Sequence, residues 1–175
     1  MLSDFRLWLC NHFINHLPIH FFRLAFYKKV MKFEIGENSS IHLGVKFNCA
    51  KNFIMGNNST INQDCRIDNR GSIIIGDNVS ISPQVKILTA DHDIKSPSLE
   101  GRNRPINIHD YCFLGTDCII LGGINLAKGT VVSAGALLTK STEVFGIYQG
   151  VPAIKKGQRS SETINYSSSY KRWFH

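Results

Sequence analysis

Met55-Gly56-Asn57-Asn58-Ser59-Thr60-Ile61, answered twenty residues later by Ile75-Gly76-Asp77-Asn78-Val79-Ser80-Ile81-Ser82-Pro83, is the stretch whose reading decides the fold. In both copies an apolar residue returns after six positions, and Gly and Asn or Asp follow the first of them. The series extends outward on both sides. Ile35, Ile41 and Phe47 precede it, Ile67 and Ile87 complete its coils, and Ile108, Leu114, Ile120, Leu126, Val132 and Leu138 continue it. Two-residue slips separate the first three sets, which gives three coils of twenty residues; after Ile108 the slips cease, which gives two of eighteen. A period of six fits neither a helix nor a long strand but suits short strands joined by turns, stacked so that equivalent residues lie above one another. Three strands per coil make a triangular prism, with parallel pairing along the rod at a spacing of about 4.8 Å. Four positions beyond each anchor the residue is mostly small, as at Ser39, Ser59, Cys65, Cys112, Cys118 and Ala136, which fits a narrow interior near a corner. Gly36, Gly56, Gly76 and Gly115 follow anchors directly, while Asn38, Asn57, Asn58, Asn78 and Gly129 fall where a turn calls for positive φ. The expected fold is all-β, a parallel β-helix of about five triangular coils.

Residues 34–157 form this rod, and its open ends need covers. Residues 1–33 supply one. Phe5, Leu9, Phe13 and His16, then Phe21, Phe22, Ala25 and Phe26, have helix-like spacing, with Pro18 dividing two helical pieces and Lys28, Lys29 and Lys32 closing the second. The spacing predicts an N-terminal helical cap packed on the rod; the same amphipathic, basic segment also suits peripheral contact with the inner face of an anionic membrane. Residues 158–175, rich in Ser and ending Tyr170-Lys171-Arg172-Trp173-Phe174-His175, make a C-terminal tail that either docks on the rod or stays loose. At 175 residues and 43% apolar content the chain has the size of one domain with a continuous core. His12, Asn15, His16, Pro18 and His20 interrupt the most apolar region before it reaches the ~20 residues of a membrane span. The first residues lack the pattern of a secretory signal, so the expected location is the cytoplasm. Five cysteines without a Cys-x-x-Cys pair predict reduced thiols.

Between Ile87 and Ile108 the period fails, and residues 88–107 enter a loop. A long loop in a regular rod generally carries function. His92 stands at its root, where the rod still fixes the backbone while the imidazole can face solvent, a placement suited to a general base. Asp91 and Asp93 flank it. A carboxylate beside an imidazole raises its basicity and fixes its tautomer, but neighbours on a strand point opposite ways, so one of the two can help, or neither.

Three motifs, Ile75-Gly76-Asp77-Asn78-Val79-Ser80-Ile81-Ser82-Pro83, Leu88-Thr89-Ala90-Asp91-His92 and Gly150-Val151-Pro152-Ala153, resemble those of the hexapeptide-repeat acyltransferases, in particular the maltose, galactoside and polysaccharide O-acetyltransferases. The likeness covers residues 35–157. It implies a left-handed coil, the exception to the right-handed rule for parallel strands. It further implies that His92 takes the proton of an acceptor hydroxyl that attacks the thioester of acetyl-CoA, with the backbone N–H near Thr116 as oxyanion donor. By the same resemblance Asn62 approaches the acceptor or the reacting centre, and Asp68, Asn69, Asp91 and Asp93 belong to the acceptor side. Arg70 stands where galactoside-type relatives carry an aspartate; it is either a surface arginine or a partner for an anionic sugar or diphosphate carrier. Thr116, Ala134, Thr139 and Lys140 match coenzyme positions, and Lys155 and Lys156 take the place of the family's tail arginines, with Arg159 as a further cation. The family's coenzyme groove lies between neighbouring subunits, which implies a homotrimer with sites at its interfaces.

These readings give an acetyl-CoA-dependent O-acetyltransferase acting on a sugar hydroxyl, in capsule, lipopolysaccharide or exopolysaccharide biosynthesis. The alternatives are an acetyltransferase for a small molecule or antibiotic, and a non-catalytic scaffold. A γ-type carbonic anhydrase shares the rod but needs three zinc-binding histidines, two of them five apart; His42, His92 and His109 offer no such pair, and no metal is expected. The net charge of +7 is spread without a nucleic-acid recognition motif, so no nucleic-acid partner is expected.

Overall fold

The computed structural model describes residues 1–169; the remaining Tyr170–His175 end of the tail lies outside the described residues. Three sheets form the walls of a left-handed parallel β-helix of about six turns. The first sheet stacks Glu34–Ile35, Phe53–Met55, Ile73–Ile75, Ile106–Ile108 and Asn125–Leu126. The second stacks Ser40–Ile41, Thr60–Ile61, Ser80–Ile81, Phe113–Leu114, Val131–Val132 and Gly146–Gln149, closed by the antiparallel strand Ile154–Gln158. Lys46–Phe47, Arg66–Asp68, Lys86–Leu88, Ile119–Leu121 and Leu137–Leu138 make the third. Anchors pair in register, Ile35 with Met55, Met55 with Ile75, Ile75 with Ile108 and Ile108 with Leu126. Every one of the apolar anchors read from the sequence is in the core, none more than 8% exposed. The expected β-helix is borne out, with Gly146–Gln149 starting a further turn above the five complete coils.

The corners explain the Ile-Gly-Asp-Asn motif. A Cβ on Gly56 would stand 2.7 Å from the Gly76 carbonyl carbon, so only glycine lets successive coils approach. The next residue ties coil to coil: Asn57 Oδ1 accepts from Glu37 N–H, Asp77 Oδ1 from Asn57 N–H, and Asp110 Oδ1 from Asp77 N–H. Asn38, Asn58 and Asn78 then turn the chain at φ near +55°. Asn57 was expected among these left-handed positions and instead supplies the side-chain link. Small interior positions are filled as expected by Cys65, Cys112 and Cys118, whose thiols burial pushes up to about 12.

Residues 1–33 form two helices, α1 (Leu2–His12) and α2 (His20–Lys29), joined by a short 3₁₀ turn. They cover the first coil by a route that apolar spacing missed. The end of a β-helix bares unpaired backbone groups, so the docking face must carry hydrogen-bonding side chains. Asn11 acts as a surrogate strand, its Nδ2 donating to Phe47 C=O at 2.7 Å and its Oδ1 accepting from Phe47 N–H at 3.0 Å. Asn15 presents its backbone carbonyl to Gly44 N–H while its Nδ2 donates to Val45 C=O, His20 Nε2 accepts from Ile41 N–H, and the buried Arg23 donates to the carbonyls of Ile41 and Leu17. Cys10, Tyr27 and Met31 complete the contact. Phe5, Phe13, Phe21 and Phe22, expected to face the rod, point outward instead, because that face belongs to the polar residues. No helix among the described residues is long and apolar enough to cross a membrane.

The tail docks as far as it is described. Thr60 Oγ1 donates to Ser168 C=O at 2.7 Å, Ser168 Oγ donates to Asn78 C=O, and Tyr166 packs edge-on against Tyr111.

Candidate functional site

The loop expected at 88–107 is a hairpin. Ala90–His92 pairs antiparallel with Gly101–Asn103, setting Asp91 opposite Arg102. Asp91 accepts a bidentate pair from Arg102, at 2.9 and 3.0 Å, and a third bond from Arg104; Arg102 also lies 3.5 Å from Asp93. These hydrogen bonds, that of Arg102 foremost, hold the Asp91 carboxyl below the usual range. Neither carboxylate is the hydrogen-bond partner of His92 Nδ1, which is Leu99 C=O; both pair with arginine across the hairpin. Arg102 and Arg104 were not singled out from the sequence, although their period of two on the return strand places them on the face of Asp91 and Asp93.

His92 is exposed, and its partner is a backbone carbonyl: Nδ1 lies 2.8 Å from Leu99 C=O. A carbonyl only accepts, so in the neutral imidazole Nδ1 carries the proton and Nε2 has the lone pair. Leu99 reaches this position in left-handed backbone at φ +49° within the turn that closes the hairpin.

The hairpin stands on a ledge made by the wide corners between the third and first sheets. Thr89 Oγ1 donates to Asp68 C=O at 2.6 Å and accepts from Gly71 N–H at 2.8 Å, while Thr89 C=O accepts from Arg104 N–H. Asn69, expected on the acceptor side, is fully buried, and all its capacity is spent inside the chain: Oδ1 accepts from Asn48 and Cys49 N–H, and Nδ2 donates to the carbonyls of Cys49 and Lys51. No polar atom of Asn69 is left for a ligand. Asp68 is likewise buried and receives Arg70 in a bidentate pair at 2.9 and 2.8 Å. Burial alone would raise its carboxyl, but the Arg70 hydrogen bonds outweigh it and hold the group below the usual range. Arg70 remains half exposed beside the hairpin root.

Asn62 and Thr116 lie on a different edge, between the second and third sheets. Asn62 Nδ2 donates to Ile81 C=O at 2.8 Å, and its Oδ1 has no hydrogen bond to any described residue. Thr116 is exposed, and its backbone N–H is likewise unbonded among the described residues. Ala134 is exposed just above, beside Gly135, where an added Cβ would meet nothing within 4 Å. Thr139 and Lys140 are exposed at the top of the third sheet, and Lys156 is exposed on the closing strand. Lys155 is engaged by Glu143 at 2.6 Å, which raises its ammonium above the ordinary range. Arg159 donates to Tyr111 C=O and Tyr166. His42 is buried in the second sheet and His109 pairs with Asn125, so neither meets His92; no group of three or more potential metal ligands occurs among the described residues. A recess of about 420 Å³ between tail and second sheet, lined by Ser80, Phe113, Val131, Arg159, Tyr166 and Ser168, lies away from the hairpin.

The candidate residues of one chain thus lie on two edges of the third sheet. His92 and Arg70 mark one edge, Asn62 and Thr116 the other.

No family model matches the sequence. Over 78 residues, 42% of the chain, it is 35% identical to the galactoside O-acetyltransferase of Lactococcus lactis. That match spans 37% of the relative, so the chain aligns with little more than a third of its length. Among solved structures, a hexapeptide-repeat acetyltransferase of Vibrio cholerae complexed with acetyl-CoA superposes with a TM-score of 0.82 at 22% identity, covering 90% of this chain and 86% of that one. A maltose O-acetyltransferase of Clostridium difficile gives 0.80 at 24% identity over 91% and 87%. The resemblance read from the three motifs holds in the fold, and the structural neighbours are hexapeptide-repeat acetyltransferases.

Proposed function

We propose that this chain, which shares its fold with the hexapeptide-repeat acetyltransferases, moves an acetyl group from acetyl-CoA to a hydroxyl of a sugar in a cell-surface glycan such as capsule, lipopolysaccharide or exopolysaccharide. The observation that carries the reading is the contact of His92 Nδ1 with Leu99 C=O: with Nδ1–H given to that carbonyl, Nε2 of the neutral ring is a basic nitrogen on a stapled hairpin. Bound acetyl-CoA supplies an acyl carbonyl activated as a thioester. His92 Nε2 takes the proton of the acceptor hydroxyl as its oxygen bonds to the acyl carbon; the C–S bond breaks and His92 returns the proton to the departing sulfur. The unbonded N–H of Thr116 suits the charge that develops on the carbonyl oxygen. Asn62 Oδ1 is available to orient the acceptor.

For His92 and Thr116 to act together, the hairpin edge of one copy must meet the other edge of a second. A head-to-tail contact repeated around a closed ring does this, and three copies suit a triangular prism. The open surface at Ala134 and Gly135 leaves room for the pantetheine arm in such a groove, and the exposed Lys140 and Lys156 suit the coenzyme phosphates. Lys140→Ala with Lys156→Ala is expected to raise the Kd for CoA about 10-fold at low salt and less at high salt, by calorimetry; an unchanged Kd removes both from the coenzyme site. The reaction itself is tested by thiol release from acetyl-CoA across neutral sugars, nucleotide sugars and lipid-linked glycans. Acceptor-dependent release is expected. Silence together with absent CoA binding overturns the reading in favour of a scaffold.

A further inference from the structure

The cap docks through polar side chains together with Cys10, Tyr27 and Met31, and six of its large apolar side chains are left over. Phe5, Trp8, Phe13, Leu17, Phe21 and Phe22 are 57, 48, 54, 41, 74 and 57% exposed. Trp8 lies 6.1 Å from Phe5 and 5.2 Å from Phe13, ring to ring, and Phe21 lies 5.8 Å from Phe22. So much apolar surface is unusual on a protein that meets only water. It is not a core face that missed its partner, because Cys10, Asn11, Arg23 and Tyr27 already make the contact with the rod.

The charge of the same segment narrows the occupant. Residues 1–33 hold Arg6, Arg23, Lys28, Lys29 and Lys32 against the single acid Asp4, and Lys28, Lys29 and Lys32 are exposed at the end of α2. A second copy of this chain would bring the same positive charge against it. A surface of anionic headgroups over acyl chains offers what both sets of side chains lack: phosphates for the cations and an apolar layer for the rings.

We propose that the outward face of α1 and α2 docks the protein on an anionic lipid bilayer, with the Phe and Trp rings in the headgroup region and Arg6, Lys28 and Lys29 against lipid phosphates. The rod then stands on the membrane through this cap, its first coil nearest the lipid. His92, two coils further on, rises about 10 Å above that coil, within reach of a glycan carried on a lipid. Docking does not depend on the chemistry at His92 and is tested apart from it.

The full chain is sedimented with vesicles of phosphatidylcholine alone and of equal parts phosphatidylcholine and phosphatidylglycerol. Binding is expected to the mixed vesicles, at least ~10-fold weaker to the neutral ones, and weakened by salt. Phe21→Ser with Phe22→Ser is expected to lower it at least ~10-fold with CoA binding and solution mass unchanged. Equal binding to both vesicles, binding to neither, or a fall in solution mass with vesicle binding intact overturns the proposal, the last by giving the face to a second copy. Should the double variant fail to fold, Trp8 fluorescence in a Trp173→Phe chain gives a second reading. Quenching by brominated lipid in mixed vesicles is expected, and its absence overturns the proposal.

Discussion

His92→Ala lowers acceptor-dependent turnover by at least ~10²-fold, while the affinity for CoA and the assembly in solution stay as they were. The side chain is exposed and bonded only to Leu99 C=O, so its removal leaves a gap in water and no orphaned group in the core. A large kinetic loss with intact CoA binding therefore separates a base from a structural histidine. His92→Gln sharpens the comparison: its amide N–H can still donate to the Leu99 carbonyl, but it has no basic nitrogen to replace Nε2. Both variants are expected to be equally slow. Near-normal turnover in His92→Ala, measured as thiol release, removes the residue from the mechanism and leaves the hairpin without a base.

The second large effect falls on stability. Asn69→Leu strips the partner from two N–H and two C=O groups at one corner. At about 1 kcal/mol per hydrogen bond, and more where a buried group stays unpaired, the loss is roughly 4 kcal/mol. For a chain of this length that lowers Tm by about 10 °C, read by circular dichroism. Asn69→Asp keeps an acceptor for Asn48 and Cys49 N–H but sets its second carboxyl oxygen against the buried carbonyls of Cys49 and Lys51, so it is expected to destabilise at least as much. The same corner supports Thr89 and through it the hairpin, so turnover is expected to fall in Asn69→Leu below the melting temperature as well. Melting unchanged from the unsubstituted chain returns Asn69 to the acceptor side.

Asn69 also marks where sequence reading stops. The hexad anchors were legible because burial repeats with the fold's own period, and each coil checks the next. Asn at a corner of such a rod reads equally as a ligand group or a clamp. Only the positions of Asn48, Cys49 and Lys51 across the gap decide between them. His92 was legible for its chemistry and its place at a break in the period, but Leu99 C=O, which sets its tautomer, is a backbone atom that no residue type announces. The ion pairs of Asp91 and Asp93 were not legible, because their partners are fixed by the pairing of a hairpin that the hexads do not encode. On the cap, apolar spacing gave the helices and set Phe26 against the core but misplaced Phe5, Phe13, Phe21 and Phe22, since the end of a sheet demands hydrogen bonds as well as apolar contact.

All three departures from the six-residue period occur at one corner. From the third sheet to the first, the chain travels from Phe47 to Met55, from Ile67 to Ile75 and from Ile87 to Ile108, while the other two corners keep six at every coil. The rod thus has one edge that accepts chain of any length and two that accept none. Loops inserted or exchanged at that edge leave the stacking of all three walls untouched, so that corner can be rewritten as a cassette while the folding code of the prism stays the same.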